Sequence, residues 1–151
     1  MAVAVSLVAG VPSGASAARK VPPAFMGVVA DGPLFSDPNV DYAKQLVTMV
    51  GGGVETLRTS FNWSGVQPYK TFADVPPAQR DRFRDENGVP TDYTETDRIV
   101  STAAARRISV LPVLISAPDW AARSAGHIYS PPSDFGAYAR YAAVLVRRYG
   151  P

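Results

Sequence analysis

The chain has 151 residues, 46% of them hydrophobic and 19% charged, with a formal net charge of +2, the balance of one globular domain rather than a disordered or nucleic-acid-binding chain. It contains no cysteine and one histidine, His127, which excludes disulfides, zinc ribbons and thiol nucleophiles and starves any histidine-based metal site of ligands. Chemistry has to rest on carboxylates, arginine, aromatics and hydroxyls, with neither metal nor cofactor expected.

Ala2 to Val11 is a run of apolar and small residues, and Ala15-Ser16-Ala17 fits the small-residue pattern of a signal-peptidase site. Residues 1–17 are therefore expected to be a signal peptide and residues 18–24 a linker, with the product secreted. The apolar run is too short to cross a bilayer, which takes about 20 residues, so no membrane partner is expected.

Phe25 to Ala30, FMGVVA, is a short apolar run stopped by Asp31-Gly32-Pro33 and predicts a first buried strand. Asp37-Pro38-Asn39 supplies helix-start residues, and Val40, Ala43, Leu46, Val47 and Val50 follow at helical spacing until Gly51-Gly52-Gly53 ends the helix. The glycines follow a helix and precede a strand, the reverse of a phosphate loop, so they are a helix stop rather than an anion cradle.

Val54 to Phe61 predicts the second strand, with Arg58 in its middle as a buried arginine in need of a carboxylate partner. Asn62 to Tyr93 is a long connection whose charged run, QRDRFRDENG, reads as a solvated face. Thr94 and Asp97 resemble a capping box for a second helix carrying Ile99, Val100, Ala103 and Ala104, with Arg106 and Arg107 suited to its carboxyl-terminal dipole. Ser109 to Ile115, SVLPVLI, predicts a strand buried on both faces, in which Pro112 costs a ladder hydrogen bond. Ser133 is the expected cap of a third helix with Phe135, Tyr138, Tyr141, Ala142, Leu145 and Tyr149 as its apolar stripe.

Strand, helix, strand, helix, strand, helix argues for right-handed crossovers and a parallel sheet. Asp31 follows the first strand, Asn62 and Trp63 the second, and Ser116, Asp119 and Trp120 the third, all at carboxyl ends, where α/β folds bind ligands.

The segments TLRTSFNWSGVQP, DYTETDRIVSTAAARRISVLPVL, SAPDWAA and SPPSDFGAYARYAAVLVRRYGP, in that order, resemble the clan A glycoside hydrolases, retaining enzymes on an eight-stranded β/α (TIM) barrel that include bacterial cellulases, xylanases and xylosidases. The resemblance implies that residues 25–151 are the first three β/α units of such a barrel, incomplete, acting on oligo- or polysaccharide together with the remainder of the barrel. It also implies that Arg58 hydrogen-bonds the nucleophilic glutamate and that Trp63 and Trp120 line the sugar cleft. Asp31, Asn62 and Asp119 join them as candidate substrate-binding residues.

Three departures accompany the resemblance. Gln67 stands before Pro68 where family members commonly carry glutamate, and the segment from Tyr69 to Pro90 is longer than expected. Glu55, Glu86 and Glu95 are the glutamates, and none lies in an Asn-Glu motif, so neither of the two carboxyls a retaining mechanism needs is evident, and the chain alone is expected to be inactive and prone to aggregate. An Asp31 and Asp119 pair is the other carboxylate option. The alternative functions are a non-catalytic carbohydrate-binding protein using Trp63, Trp120 and Tyr129, or a small complete α/β domain with another ligand. A serine hydrolase built on His127 with Ser60, Ser116 or Ser130 lacks the Gly-x-Ser-x-Gly elbow.

Overall fold

The computed structural model describes residues 20–150, so the expected signal peptide and the start of the linker lie outside the described residues. The elements in chain order are β1 (Gly27–Val29), α1 (Pro33–Ser36), α2 (Tyr42–Gly51), β2 (Thr56–Asn62), α3 (Trp63–Val66), β3 (Arg84–Glu86), β4 (Val89–Thr91), α4 (Thr94–Ala104), β5 (Ser109–Ile115) and α5 (Phe135–Tyr149), with two 3-10 turns between α3 and β3. The fold is mixed α/β. Strands β1, β2 and β5 form a parallel sheet in that order, β3 and β4 form a separate antiparallel hairpin, and no barrel closes.

Sheet order follows chain order, so crossovers of one hand leave the helices on one face. Alternate residues of a strand point to opposite faces. On β2, Leu57, Thr59 and Phe61 are buried, and the register places Leu57 beside Val28 and Val110, and Phe61 beside Leu114. Leu57 packs with Tyr42 and Leu46 of α2 and Ala103 of α4, while Phe61 packs with Ile99 of α4 and Tyr141 and Leu145 of α5. The opposite face carries Val29, Arg58, Ser60, Asn62, Leu111, Val113 and Ile115, and no helix among the described residues covers it. Val29 is 63% and Leu111 55% exposed.

Three expectations for the sheet are corrected by this one-sided layering: β1, expected to be buried, is an edge strand with Phe25, Met26 and Val29 exposed. Arg58 is exposed rather than buried, because it points to the uncovered face. β5 is not enclosed on both faces; none of its residues is fully buried, and it forms an edge. The Ser109 N–H donates to the Glu55 carbonyl at 2.9 Å, and in a parallel pair alternate residues serve alternate neighbours. Pro112, three residues on, therefore belongs to the set turned away from β2, where a missing N–H breaks no bond within the sheet.

Helix ends also differ from expectation. Asp41 caps α2 by accepting from the Lys44 N–H at 3.0 Å, while Asp37 closes a turn on Asn39. The carboxylate of Asp92 accepts from the Thr94 N–H and hydroxyl at 2.9 and 2.6 Å, replacing the expected capping box. Asp134, not Ser133, caps α5 through the Gly136 N–H at 2.7 Å, and the Ser133 hydroxyl donates to the Ala121 carbonyl instead. The buried stripe of α5 is Ala137, Tyr141, Val144 and Leu145, with Phe135 exposed. Other expectations hold: Gly53, at φ +85, terminates α2, and Arg106 donates to the Thr102 carbonyl at 2.9 Å at the end of α4. The charged run contributes the β3–β4 hairpin, whose Asn87-Gly88 turn has φ of 57 and 86, as a type I′ turn requires.

The carboxyl end of α5 is locked to α4 and the hairpin by a polar network. Arg148 donates twice to Asp97, at 2.7 and 2.6 Å, and stacks over the Tyr93 ring at 4.1 Å. The Tyr149 hydroxyl contacts Thr96 and Asp97 at 2.6 and 2.8 Å, and the Tyr93 hydroxyl donates to Glu86 at 2.7 Å. Among the described residues no helix is long and apolar enough to cross a membrane.

Two outcomes are expected from this architecture. Hydrogen bonds from Arg148, opposed by partial burial and aided by Tyr149, hold the Asp97 carboxyl below its ordinary value of 3.8, so its contribution is present above that pH and disappears as the pH falls through the folded-state value. Urea denaturation of Asp97→Asn at neutral pH should show a loss of about 1 kcal/mol, and the gap from the unsubstituted protein should close in acid. The second concerns the open face. Leu111→Lys should reduce concentration-dependent association in sedimentation experiments while leaving the circular dichroism spectrum intact, because the change breaks an exposed apolar patch.

Candidate functional site

A cleft of about 770 Å³ opens at the carboxyl end of β2, between the β1–α1 turn, α3 and the start of α4. Asp31, Arg58, Ser60, Asn62, Thr94 and Tyr129 are among its lining residues. Three of the six residues expected in a substrate site, Asp31, Arg58 and Asn62, are thus brought together, because β2 directs its even-numbered side chains to the open face and Asp31 ends the neighbouring strand.

Asp31 extends the sheet with its side chain. The Ala30 N–H donates to the Arg58 carbonyl at 3.0 Å, the last backbone bond from β1. One oxygen of Asp31 then accepts from the Ser60 N–H at 2.6 Å and the Thr59 hydroxyl at 3.2 Å. A backbone donor that would otherwise lack a strand partner is satisfied, and the carboxylate is held against β2. Asn62, the last residue of β2, accepts from the Ser64 hydroxyl at 2.8 Å, while the Ser64 N–H donates to the Ser116 carbonyl at 2.8 Å. These bonds fix α3 across the ends of β2 and β5.

The other charges of the cleft are matched internally. Burial pushes the Asp92 carboxyl up, but hydrogen bonds from Thr94 and the guanidinium of Arg82 at 2.8 Å outweigh it and hold the group below the ordinary value. Glu95 accepts two hydrogen bonds from Arg98, at 3.0 and 2.6 Å. Arg58 has no hydrogen-bond or ion-pair partner among the described residues, so the expectation of a carboxylate partner is not met within the chain.

The remaining expected residues lie elsewhere. Trp63 is 1% exposed, stacked on Tyr141 at 5.3 Å with a 12° interplanar angle and flanked by Trp120 and Tyr138, both at 5.7 Å. It belongs to the core and has no ring face left for a sugar. Trp120 is half-buried, donates to the Gln67 carbonyl at 2.9 Å and borders a smaller hollow beside the hairpin. Asp119 accepts from the Gly126 N–H at 2.7 Å in the β5–α5 loop and does not line the cleft, so it forms no pair there with Asp31. Ser130 is engaged with Ser124 and Pro131, and His127 with the Tyr129 ring, with no hydrogen bond between a serine hydroxyl and the His127 imidazole among the described residues.

Gln67 is the residue whose importance the sequence reading missed. It is 4% exposed, accepts from the Trp63 indole N–H at 2.8 Å and donates to the Thr91 hydroxyl at 2.9 Å. A neutral amide satisfies a donor and an acceptor at once, whereas a carboxylate would bring a charge into the core. The spacing of Trp63 and Gln67, four residues apart, was the available signal. Tyr129, 76% exposed at the cleft, is the aromatic positioned to meet a ligand. Among the described residues no cluster of three or more His, Asp or Glu side chains is placed to hold a metal ion.

Burial of Trp63 gives a direct test of its role. Trp63→Ala should lower unfolding free energy by about 3–5 kcal/mol in chemical denaturation, an effect a ligand-contacting loop tryptophan would not have. No family model matches the chain, and no curated protein matches it.

Proposed function

We propose that this chain forms the first three β/α units of a retaining glycoside hydrolase barrel and supplies one wall of its saccharide cleft rather than its catalytic carboxylates. The observation that carries the reading is the polarity of the sheet: helices cover one face, and the other presents Arg58, Ser60 and Asn62 beside Asp31 at the strand carboxyl ends, the side on which β/α barrels bind substrate. In that setting the open face becomes part of the barrel interior, and the uncovered β5 edge receives a fourth strand. Arg58 would then hold a carboxylate in its charged form, as the sequence resemblance implies. Secretion and action on plant-type or microbial polysaccharide belong to the same proposal.

The carboxylates present in the cleft fit a binding role. Asp31 is spent on β2, Asp92 on the start of α4 and Glu95 on Arg98, so none is left poised as an acid beside a free nucleophile about 5–5.5 Å away.

The test is to read the reading frame beyond the Pro151 codon at the source locus and to assay the encoded protein on aryl glycosides and β-linked oligosaccharides. The expected result is a frame continuing into an apolar strand that ends in Asn-Glu, with activity lost in Arg58→Ala. A stop codon at that point, with the chain found folded by itself, would sink the hydrolase reading. A second reading, a non-catalytic carbohydrate-binding protein, draws on the exposed Tyr129 ring at the cleft, and binding of neutral oligosaccharides by the isolated chain would favour it.

A further inference from the structure

We propose that a hollow at the carboxyl end of β5 is a second saccharide subsite, which takes a neutral sugar unit next to the one in the main cleft and meets it with the hydroxyls of Ser116 and Tyr138. The inference rests on the carbohydrate reading above and deepens it, because it makes the ligand a saccharide of at least two units. The observation behind it is the backbone of Ser116.

Ser116 directly follows β5 and has φ +58, in the left-handed region that glycine enters freely and that costs free energy for a residue with a Cβ. The turn itself is used. The Ser116 carbonyl accepts from the Ser64 N–H at 2.8 Å, which ties the end of β5 to α3. Glycine would make the same backbone contact without strain, so the turn does not call for a side chain. The Ser116 hydroxyl has no hydrogen-bond partner among the described residues and is not sealed from solvent. Backbone strain of this kind collects at binding sites, and here it is carried by a hydroxyl that the fold leaves unused.

The hollow that Ser116 lines has a volume of about 240 Å³, below the roughly 300–1,000 Å³ of sites that enclose a whole drug-sized ligand, and so suits one unit of a longer molecule. Ile115 and Tyr129 line both this hollow and the main cleft, so the two spaces meet across those side chains. Among the described residues no charged side chain lines the hollow, whereas the cleft holds Asp31 and Arg58. A charged unit would therefore lose water without gaining a counter-charge, and a neutral one would not. Pro131, Pro132 and the Tyr129 ring supply apolar wall, and Tyr138, packed on Trp63, has a hydroxyl with no hydrogen-bond partner among the described residues. Apolar walls with a few polar groups that fix orientation are the make-up of a small-molecule site. The wall is also pinned in advance. Arg123 N–H donates to the Pro131 carbonyl at 2.9 Å, Ser133 N–H to the Ala121 carbonyl at 2.7 Å and Ser124 N–H to the Ser130 hydroxyl at 2.8 Å, so little ordering remains for a ligand to impose.

The test titrates the 151-residue chain, followed by NMR, with xylose, xylobiose and xylotriose and with glucose, cellobiose and cellotriose. In at least one series the oligosaccharides should bind about ten-fold tighter than the monosaccharide. Ser116→Gly should remove most of that advantage, leave the monosaccharide in the main cleft unaffected, and keep or raise the thermal midpoint, since it relieves strain. Tyr138→Phe retains the ring on Trp63, should weaken the oligosaccharides to a similar degree, and decides the matter if the glycine variant does not fold. Oligosaccharide binding that is indifferent to both substitutions, or no tighter than that of the monosaccharide, overturns the inference and leaves the carbohydrate reading standing. A lowered thermal midpoint in Ser116→Gly marks the serine as structural and overturns it too. Absence of binding by every saccharide overturns the inference and counts against the carbohydrate reading as well.

Discussion

As the central strand of a sheet covered on one side, β2 has to satisfy two environments with alternate residues. Leu57, Thr59 and Phe61 are buried under α2, α4 and α5, and moving the pairing by one residue would exchange them for Arg58, Ser60 and Asn62. Burying an unpaired guanidinium costs several kcal/mol, and the apolar residues would lose their contacts. Register is therefore fixed by the side-chain pattern. It carries with it the position of Asp31, which can reach the Ser60 N–H only in the observed pairing, and of α3, which starts where β2 ends. The cleft is a by-product of this requirement: what the helices cannot accept is displayed on the other face.

Aromatic packing below the cleft serves the same end. Trp63 begins α3 and drives it downward onto Tyr141 and Tyr138 of α5, with Trp120 of the following loop against its edge. An indole N–H in such a place needs an acceptor, and Gln67 provides it one helical turn later while its own amide is taken by Thr91. The hydroxyl of Tyr141 is buried without a hydrogen bond, and burial pushes its ionisation far above the ordinary value, so it acts as an apolar ring with an unused polar tip. These groups set the height of the cleft floor without taking part in it.

Much of the sheet was legible in the sequence because it rests on local periodicity. The three parallel strands and the helices α2, α4 and α5 fall within a few residues of their predicted bounds. Caps were less legible: Asp41, Asp92 and Asp134 displaced other candidates, since several acceptors lie within reach of each helix start and only backbone geometry selects among them. The hairpin was missed although Asn87-Gly88 is a strong turn signal, because it lies inside a charged run that reads as solvated. For the site, the even-numbered residues of β2 were readable from strand alternation. The fate of Trp63 and the exposure of Arg58 were not, because both depend on which side of the sheet the helices occupy.

Pro112 has a consequence for how this sheet meets other chains. On the outer edge of β5, Val110 and Leu114 carry the N–H groups, and Pro112 between them has none. The two donors are four residues apart, about 13 Å along the strand. Any strand that adds there, the proposed fourth barrel strand included, leaves an acceptor unanswered at its midpoint, at a cost of about 1–3 kcal/mol if water is excluded. The ring also hinders stacking of successive copies along a fibril axis, since every layer would repeat the same gap. An apolar strand that is open to solvent thus carries its own gatekeeper against amyloid-like growth.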